Sequence, residues 1–482
     1  MTSTGPQDHP VVPTTRGPVR GERRADGSTR FLGIPYAQPP VGELRFAAPV
    51  APRPWTEALD ATAYGPTAQR RPFAEVTTIP EPTIPGESVL NLNVFTPDLA
   101  PAAGLPVLVW IHGGGFVAGC SASPWYDGAA FNRDGVIVVS IGYRLGIEGF
   151  LHLPDAPDNR GVRDWIAALE WVRDNIASFG GDPAKVTVAG QSAGGGAVQT
   201  LLATPSARAL FRAAISVSGA VMRPQDRATA EAVGRTLTAR TGVPATAAAL
   251  RVLTDERLLD LQDALSEAGP DGDTLPMLSL APFADGELIP LPVPEALPDA
   301  EVPLLLGFTA HEFAAPDGDG GAEPEDELRG LLGALGLDER GAARFLAEHP
   351  GANGGDAITD WLFRAPALAL TDARAERRRP TWLYQFDWTG TAPGRTGQAY
   401  HCIDLPFAFD LLDAEGVEAA LGAEPPQSLA DAVHGAWVSF IRDLDPGATW
   451  PPYRQGRATM RWTVEPRVDH DPLRTVRDIW LA

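Results

Sequence analysis

The sequence predicts an α/β protein built on a doubly wound, mostly parallel β-sheet. Short, continuous apolar runs recur along the chain, as expected of parallel strands that are covered on both faces. Between several of these runs the apolar residues change to helical spacing, most clearly over residues 159–182. Strands that alternate with helices in this way are typical of a parallel sheet with helices on both sides.

Length and turn composition predict one large domain. At 482 residues the chain exceeds the usual size of a domain, but its 50 glycines and 47 prolines are scattered between apolar runs and form no linker. We expect a flexible N-terminal segment over residues 1–28 and a single domain over residues 29–482. Helical patterns near residues 225–275 and 325–380 predict insertions that cap the carboxyl edge of the sheet, where ligands bind in open α/β sheets.

The charge balance and the cysteine count limit the partners and the compartment. A net charge of −22 repels phosphate, so neither a nucleic acid nor an anionic membrane is an expected partner. No apolar run reaches the roughly 18 residues of a membrane span, and the first residues lack the pattern of a secretory signal. Cys120 and Cys402 are too few for a disulfide framework, which predicts a cytoplasmic protein. Arginine fills every basic position except Lys185, which is typical of a GC-rich bacterial coding sequence.

The first strands of the predicted sheet follow from residue patterns in chain order. Residues 31–49 contain several prolines and glycines and are predicted to form an ordered loop. Residues 92–97 alternate between polar and apolar types, which predicts a strand with one exposed face. Residues 107–111 and 136–144 are apolar runs and are predicted to be buried parallel strands.

The later elements follow in the same way. Residues 159–182 predict a helix that stops at a glycine-rich turn. Residues 213–219 and 302–308 predict further buried strands, and an apolar stripe over residues 429–441 predicts a C-terminal helix. The chemistry should therefore lie where the loops after these strands meet.

One stretch, KVTVAGQSAGGG over residues 185–196, predicts a strand, a sharp turn and a helix with Ser192 at the corner. The turn leaves no room for side chains larger than glycine at Gly190 and Gly194. The hydroxyl would stand at a helix N-terminus, where free N–H groups favour a developing negative charge. Such a string arises by chance roughly 0.2 times in a chain of this composition, so the flanking strand and helix decide its interpretation as a nucleophile elbow.

A serine nucleophile needs a general base, and five histidines follow it in the chain, of which four are the candidates: His311, His349, His401 and His434. His349 at a helix end and His434 within the C-terminal helix are better explained structurally. His401 lies in a loop after the apolar strand 382–386, at the place where a base at the sheet edge is expected. His311 is the remaining alternative, although its neighbour in the chain is the presumed acid.

The acid that orients the base should follow an earlier strand, because elbow hydrolases place the partners in the order serine, acid, histidine. Glu312 comes four residues after the apolar run that ends at Phe308, again at the carboxyl end of a strand. Asp404 and Asp317 are the alternative carboxylates. We expect Glu312 to stabilise the imidazolium form of the base.

An oxyanion hole needs backbone N–H groups that converge on one point without side chains in the way. The sequence HGGGF directly after the strand 107–111 supplies such a loop. We expect Gly114 and Gly115 to act together with the N–H of Ala193. The acidic residues of 316–327 lack the spacing of a metal site, and neither a metal nor a cofactor is expected.

These motifs together resemble type-B carboxylesterases of the carboxylesterase/cholinesterase family, nearest its bacterial para-nitrobenzyl-esterase-like members. The likeness covers nearly the whole chain and rests on many ordered motifs, among them GIPYAQPPVGELRF, WIHGGGF, GQSAGG, GFTAHEF and HCIDLPFAF. It implies an α/β-hydrolase fold, a small-molecule ester substrate and a chain that is a monomer or a weak homo-oligomer. It also implies site residues: a triad of Ser192, Glu312 and His401, an oxyanion hole of Gly114, Gly115 and Ala193, and a supporting hydroxyl on Ser218.

The sequence also departs from the family pattern at several positions. Gln191 stands where cholinesterases carry a glutamate, which disfavours a choline-type substrate. Gly142 and Trp165 replace the usual Asn and Gln, and these changes bear on the substrate pocket.

Three aromatic residues lie close in sequence to the catalytic groups and predict an apolar pocket: Phe116, Phe313 and Phe407. We therefore expect a serine carboxylesterase for neutral aryl or medium-chain acyl esters. The alternatives are that the same triad serves as an acyltransferase, a lactone cyclase or a carbamate hydrolase, or that the chain is a non-catalytic binding module.

Overall fold

The computed structural model describes residues 9–72, 77–219, 225–266, 275–314 and 324–482. Within these residues the strands are β1 Val11–Pro13, β2 Pro18–Arg20, β3 Glu22–Arg23, β4 Thr29–Pro35, β5 Leu59–Asp60, β6 Asn91–Thr96, β7 Leu105–Ile111, β8 Ile137–Ile141, β9 Gly181–Gln191, β10 Ala213–Val217, β11 Gln225–Asp226, β12 Phe283–Ala284, β13 Leu304–Thr309, β14 Thr381–Phe386, β15 Ala458–Trp462 and β16 Arg467–His470.

The helices pack mainly on and around the sheet. In chain order they are α1 Ala129–Arg133, α2 Gly146–Phe150, α3 Arg160–Asn175, α4 Ala193–Ala203, α5 Arg227–Thr241, α6 Ala247–Leu250, α7 Asp255–Ser266, α8 Val293–Ala296, α9 Glu325–Ala334, α10 Glu339–Glu348, α11 Gly354–Thr359, α12 Ala365–Glu376, α13 Leu405–Ala408, α14 Val417–Leu421, α15 Gln427–Asp443 and α16 Arg474–Trp480. A π-helical turn over Asp360–Arg364 joins α11 to α12. In the described part of the chain, none of these helices has the length and apolar character needed to cross a membrane.

One large sheet forms the centre of the fold, with the strand order β16-β15-β14-β13-β10-β9-β7-β8-β6-β4-β3. Each neighbouring pair from β15 to β8 is parallel. The pairs at both edges are antiparallel. The predicted α/β class with a mostly parallel sheet is confirmed.

The apolar runs are continuous because the central strands are buried on both faces. In β7, Val107 and Val109 pack into one hydrophobic core, while Leu108 and Trp110 pack into a second core on the other face. The carboxyl ends of the parallel strands therefore lie along one edge of the sheet, between the two hydrophobic cores. The loops that follow them carry the candidate site.

Helices occupy both regions in which helical insertions were predicted. Helices α5 to α7 lie within residues 225–275, and α9 to α12 lie within residues 325–380. Val233 and Leu237 of α5 are fully buried, as their spacing predicts. The expectation that residues 29–482 form a single domain remains a prediction.

The N-terminal segment differs from the flexible tip that was predicted over residues 1–28. From residue 9 onward the chain is ordered and includes β1, β2 and β3. Val12 and Val19 are buried, and the N–H of Thr15 donates to Oδ1 of Asn175 over 2.7 Å. Strands of only two or three residues carry too little periodicity to be recognised from sequence.

Residues 31–49 were predicted to form a loop, but their first residues belong to β4. The strand tolerates its breakers because a register shift between Phe31 and Ile34 places Gly33, with a positive φ of 71°, at a bulge. Pro35 ends the strand at its pairing with Asn91. Strand β6 also differs from expectation: all six of its residues are buried, so neither face is exposed.

Candidate active site

Ser192 lies at the corner between β9 and α4, where the sequence places the elbow. Its backbone has φ 57° and ψ −123°, a conformation that costs energy for any residue with a Cβ. The N–H of Ser192 donates to the carbonyl of Val217 on the neighbouring strand over 2.9 Å, which holds the strained turn. The side chain is half-buried and lines a cavity at the carboxyl edge of the sheet.

Glycines around the elbow are required by close approaches of the backbone. A Cβ at Gly190 would collide with the carbonyl of Gly194, and a Cβ at Gly194 would collide with the carbonyl of Ile111. Both contacts involve main chain, which cannot move aside without breaking the sheet. The small residues of the motif therefore allow the tight turn that turns the hydroxyl outward.

His401 and Glu312 are brought together although 89 positions separate them. His401 Nδ1 and Glu312 Oε2 form a short hydrogen bond. The backbone N–H of His401 also donates to the backbone carbonyl of Glu312 over 3.1 Å. Burial lowers the pKa of His401, but Cys402 and Glu312 beside it raise that pKa, and the net direction is well above the ordinary value. A buried carboxylate on one ring nitrogen leaves Nε2 as the atom that can exchange a proton within the cavity.

The Glu312 carboxylate is fixed by two further donors. Its Oε1 accepts the Ser218 hydroxyl over 2.6 Å and the N–H of Thr309 over 2.8 Å. The side chain has no solvent exposure. Ser218 thus lies where a supporting hydroxyl was expected, while the contact with Thr309 was not predicted.

The three other histidines that were candidates for the base have structural partners. His311 Nδ1 accepts the N–H of Ala399 over 3.0 Å, and burial lowers its pKa. His349 stacks on Phe345 at the end of α10. His434 is buried in α15, where its Nε2 lies 3.1 Å from Asp134 Oδ2. None of the three lines the cavity that contains Ser192.

Asp404 was one of the alternative acids, and it is buried within three residues of His401. Its Oδ2 accepts the Tyr384 hydroxyl over 2.9 Å, whereas Oδ1 has no partner. Burial, with the charge of Glu312 acting in the same direction, raises the pKa of Asp404 to about 7. No hydrogen bond joins Asp404 to His401 among the described residues. Asp317, the other alternative, lies outside the described residues.

The glycine loop after β7 faces Ser192 across the cavity. Gly114 and Gly115 have φ values of 107° and 58°, which glycine adopts at little cost. The turn is closed by the N–H of Ala118, which donates to the carbonyl of Gly114 over 2.8 Å. Among the described residues, the N–H groups of Gly114, Gly115 and Ala193 have no acceptor. Three free donors beside the serine are suited to an oxyanion.

His112 supports this loop, and the sequence did not predict a role for it. Its ring stacks on Tyr143 with centroids 4.5 Å apart, and its Nδ1 lies 2.8 Å from the carbonyl oxygen of Gly113. Burial lowers the pKa of His112 to about 3, which keeps the ring neutral. The Tyr143 hydroxyl donates to the carbonyl of His112 over 3.0 Å, so both residues hold the backbone of the glycine loop.

The cavity at this edge has a volume of about 670 Å³ and contains Ser192, Glu312 and His401. Much of its wall is apolar, with contributions from Val117, Leu265, Met277, Leu280 and Phe363. In the described part of the chain, no three His, Cys, Asp or Glu side chains are grouped so as to hold a metal ion. The expected absence of a cofactor remains a prediction.

One known protein family matches most of this chain. The model of the carboxylesterase family matches residues 8–318 and 347–480. The chain belongs to the carboxylesterase family. The predicted resemblance to type-B carboxylesterases and the predicted α/β-hydrolase fold are confirmed.

The relatives of this carboxylesterase align over almost their whole length. A para-nitrobenzyl esterase from Bacillus subtilis (strain 168) is 36% identical over 96% of this chain and 97% of its own. A phenmedipham hydrolase from Pseudarthrobacter oxydans is 33% identical over 92% of this chain and 93% of its own. The solved structure of a carboxylesterase from Geobacillus stearothermophilus is 34% identical, covers 98% of this chain and 99% of its own, and superposes with a TM-score of 0.83. The chain is accordingly a carboxylic ester hydrolase.

Only one of the three predicted pocket aromatics lines the cavity of this carboxylesterase. Phe313 lies in its wall and stacks on the His401 ring, with centroids 5.4 Å apart. Phe116 is fully buried, and its ring lies 5.0 Å from that of Phe150. Phe407 is fully buried, and its ring lies 5.0 Å from that of Trp388. The predictions for Phe116 and Phe407 are wrong because proximity in sequence to a catalytic group does not fix the direction of a side chain.

Gly142 and Trp165, the two departures from the family pattern, lie in the core of this carboxylesterase. Trp165 is fully buried against Phe116 and Tyr143. A Cβ at Gly142 would lie 3.0 Å from the carbonyl oxygen of Val89, so glycine relieves a tight contact there. Neither residue lines the cavity, and both departures affect packing behind the site.

The two phenylalanines with different surroundings give a paired prediction. Phe116→Ala should lower the free energy of unfolding by about 3–5 kcal/mol, since it empties a fully buried site. Phe313→Ala should change stability much less, because this side chain is 44% exposed. It should instead change the preference for acyl length, as measured by kcat/KM for nitrophenyl esters of two to eight carbons. Equal effects of the two variants on stability would contradict this assignment.

Proposed function

We propose that this carboxylesterase hydrolyses neutral carboxylic esters through an acyl-enzyme intermediate. In this proposal Ser192 is the nucleophile, His401 the general base and Glu312 the acid that orients it. The N–H groups of Gly114, Gly115 and Ala193 form the oxyanion hole. The single observation that carries the proposal is that five of these residues line one cavity and Ala193 directly follows Ser192, with His401 joined to Glu312 and the three N–H groups free of other acceptors.

In the acylation step, Ser192 Oγ attacks the ester carbonyl carbon while its proton passes to His401 Nε2. The carbonyl oxygen becomes an oxyanion that accepts hydrogen bonds from the three N–H groups. Glu312 stabilises the imidazolium, because its carboxylate is already held beside Nδ1. His401 then gives its proton to the departing alcohol as the bond from the carbonyl carbon to the alkoxy oxygen breaks.

In the deacylation step, His401 removes a proton from water, and the resulting oxygen attacks the acyl carbonyl carbon. The second tetrahedral intermediate uses the same oxyanion hole. Its collapse releases the carboxylic acid and returns the proton to Ser192. Hydrolysis thus needs water to reach the acyl group inside this cavity, whose lining includes polar residues such as Thr77 and Arg395.

The preference for neutral esters is supported by the charges in the cavity wall. Glu312 is hydrogen-bonded through both oxygens to protein groups, and Glu81 is paired with Arg70 Nε over 3.2 Å, so neither wall carboxylate is left without a partner. Arg395 adds a positive charge to the same wall. Gln191 contributes no charge. A cationic alcohol group would find no free carboxylate among the described residues of this wall.

Carbamate hydrolysis is a second candidate activity. It is favoured by the 33% identity to a relative named phenmedipham hydrolase. The reaction would use the same nucleophile and oxyanion hole, because a carbamate also presents a carbonyl to the serine. Acyl transfer and lactone formation have no comparable support.

We further propose a cytoplasmic, bacterial enzyme that acts as a monomer or a weak homo-oligomer, with no nucleic acid and no membrane as a partner. Both cysteines, Cys120 and Cys402, are free and buried, which supports a reducing compartment. The net charge of −22 supports the exclusion of nucleic acid.

A substrate panel tests the proposed specificity. We expect hydrolysis of nitrophenyl esters of rising acyl length, slower hydrolysis of a matched carbamate, and little action on the matched amide. A choline ester should be no better than its neutral 3,3-dimethylbutyl isostere. The measurement is kcat/KM for each substrate under one buffer condition.

A specificity constant that favours the choline ester by more than about tenfold, or roughly 1.4 kcal/mol of transition-state binding, would contradict the neutral pocket. Faster turnover of the carbamate than of every ester would make the second candidate the main activity.

A further inference from the structure

The free nitrogen of the candidate base already has a partner in this structure. Gln191 Nε2 lies 3.0 Å from His401 Nε2 and 3.1 Å from Cys402 Sγ. No hydrogen bond joins Ser192 Oγ to His401 among the described residues. Neutral imidazole with its proton on Nδ1 has a single lone pair on Nε2. The amide of Gln191 and the hydroxyl of Ser192 therefore compete for the same acceptor.

The surroundings of Gln191 hold its carboxamide beside His401. Gln191 is the last residue of β9, pairs with Val217 of β10 and is 1% exposed. A Cβ at Gly113 would lie 2.9 Å from Gln191 Oε1, so this glycine gives the carboxamide its room. Cys402 has a positive φ of 78°, and its Sγ lies on the other side of the amide nitrogen. The contact with His401 is thus built into the site.

A carboxamide is suited to both protonation states of the base. Its NH₂ donates to the lone pair of neutral imidazole, and after a half-turn its carbonyl oxygen accepts the N–H of imidazolium. A glutamate at this position could only accept and would favour imidazolium. A methionine of similar length could do neither. The side chain at position 191 therefore influences which state His401 adopts before substrate arrives.

We propose that Gln191 is a positioning residue that caps His401 Nε2 in the resting enzyme and yields this nitrogen to Ser192 when substrate binds. The proposal rests on the proposed function, since it takes His401 as the base and Ser192 as the nucleophile. The titratable groups that interact with His401 are Glu312 at Nδ1, Cys402 beside the ring and the buried Asp404, which lies three residues further along the chain. The rings of Phe313 and Phe363, which pack on the imidazole, add no charge.

The first test uses Gln191→Met and a small serine reagent, phenylmethanesulfonyl fluoride, which needs little binding energy. Removal of the cap should raise the second-order rate constant of inactivation by about two- to tenfold, the range that one net hydrogen bond contributes. The matched control is Gln199→Met, which removes a buried amide that donates to Ser216 and does not touch His401. The control should leave the rate constant at the wild-type value. Mass mapping of the wild-type adduct to Ser192 is a precondition, and its failure would refute the proposed function itself.

The second test uses Gln191→Glu and the pH dependence of kcat/KM. A carboxylate beside Nε2 stabilises imidazolium and raises the pKa of His401 by about one unit or more. Since the neutral form is the active base, the acid limb of the profile should move to higher pH. A residue with only a packing role would lower activity without moving this limb. An inactivation constant that stays or falls in Gln191→Met, or an acid limb that stays in place in Gln191→Glu, would overturn the proposal.

Discussion

Ser192→Ala is expected to reduce turnover of a nitrophenyl ester by a factor of about 10⁴ to 10⁶. The variant loses the atom that forms the acyl-enzyme, while the oxyanion hole and the cavity remain. Its stability should not fall. Alanine carries the same Cβ as serine, so the backbone strain at φ 57° is unchanged, and the lost hydroxyl makes no hydrogen bond to His401. Turnover under saturating substrate is the measurement.

A sulfonyl fluoride or organophosphate should add its mass to Ser192 and to no other serine. Ser279 lines the same cavity but does not lie at the corner between β9 and α4, so Ser279→Ala is the matched control and should keep both labelling and turnover. Full activity in Ser192→Ala, or an adduct mapped to a different serine, would remove the basis of the proposed mechanism.

His401→Ala should cost nearly as much as the loss of the serine, because a neutral hydroxyl without a base is a poor nucleophile. Glu312→Gln should cost less, since it keeps the shape of the side chain and removes only the charge beside Nδ1. Asp404→Asn is the control for the acid, because Asp404 is buried nearby without a hydrogen bond to His401. A silent Glu312→Gln together with an inactive Asp404→Asn would reverse the assignment.

The pH profile distinguishes His401 from Asp404 as the group that controls activity. The neighbours of His401 raise its pKa, and the base acts only when neutral, so activity should be lost at a higher pH than for an ordinary histidine as the solution is acidified. Asp404, with a pKa of about 7, titrates in the same window. In Asp404→Asn the acid limb should persist if it belongs to His401. Its disappearance would assign the limb to Asp404.

The parts of the fold that sequence could predict are those with strong local patterns. Strand β7 is apolar along its length because both faces are covered, and the elbow motif requires glycine for reasons that do not depend on the rest of the chain. Strand β4 was not predicted because its glycine and proline are normally strand breakers. They are tolerated here because the glycine lies at a bulge and the proline at the strand end. A local sequence pattern does not reveal which neighbouring strand will accommodate a bulge.

The candidate site likewise has residues that the sequence predicts and contacts that it does not. The order of motifs along the chain predicted Ser192, Glu312 and His401, because each follows the carboxyl end of a strand. Sequence could not predict which way Phe116 and Phe407 point, since that depends on the packing of Phe150 and Trp388 against them. It also gave no sign that the Gln191 amide would lie on His401, because their contact spans 210 positions.

Those long sequence separations have a consequence for how the enzyme acquires activity during folding. Ser218 is 94 positions from Glu312, and Glu312 is 89 positions from His401, so no short stretch of the chain carries two of these partners. The contacts form only after β9, β10, β13 and β14 have found their places in the parallel sheet, and each such pairing closes a long loop at an entropic cost. A nascent or partly refolded chain with most of its helices formed would still lack an assembled site. We therefore expect catalytic competence to appear late in folding, after these distant strands have paired.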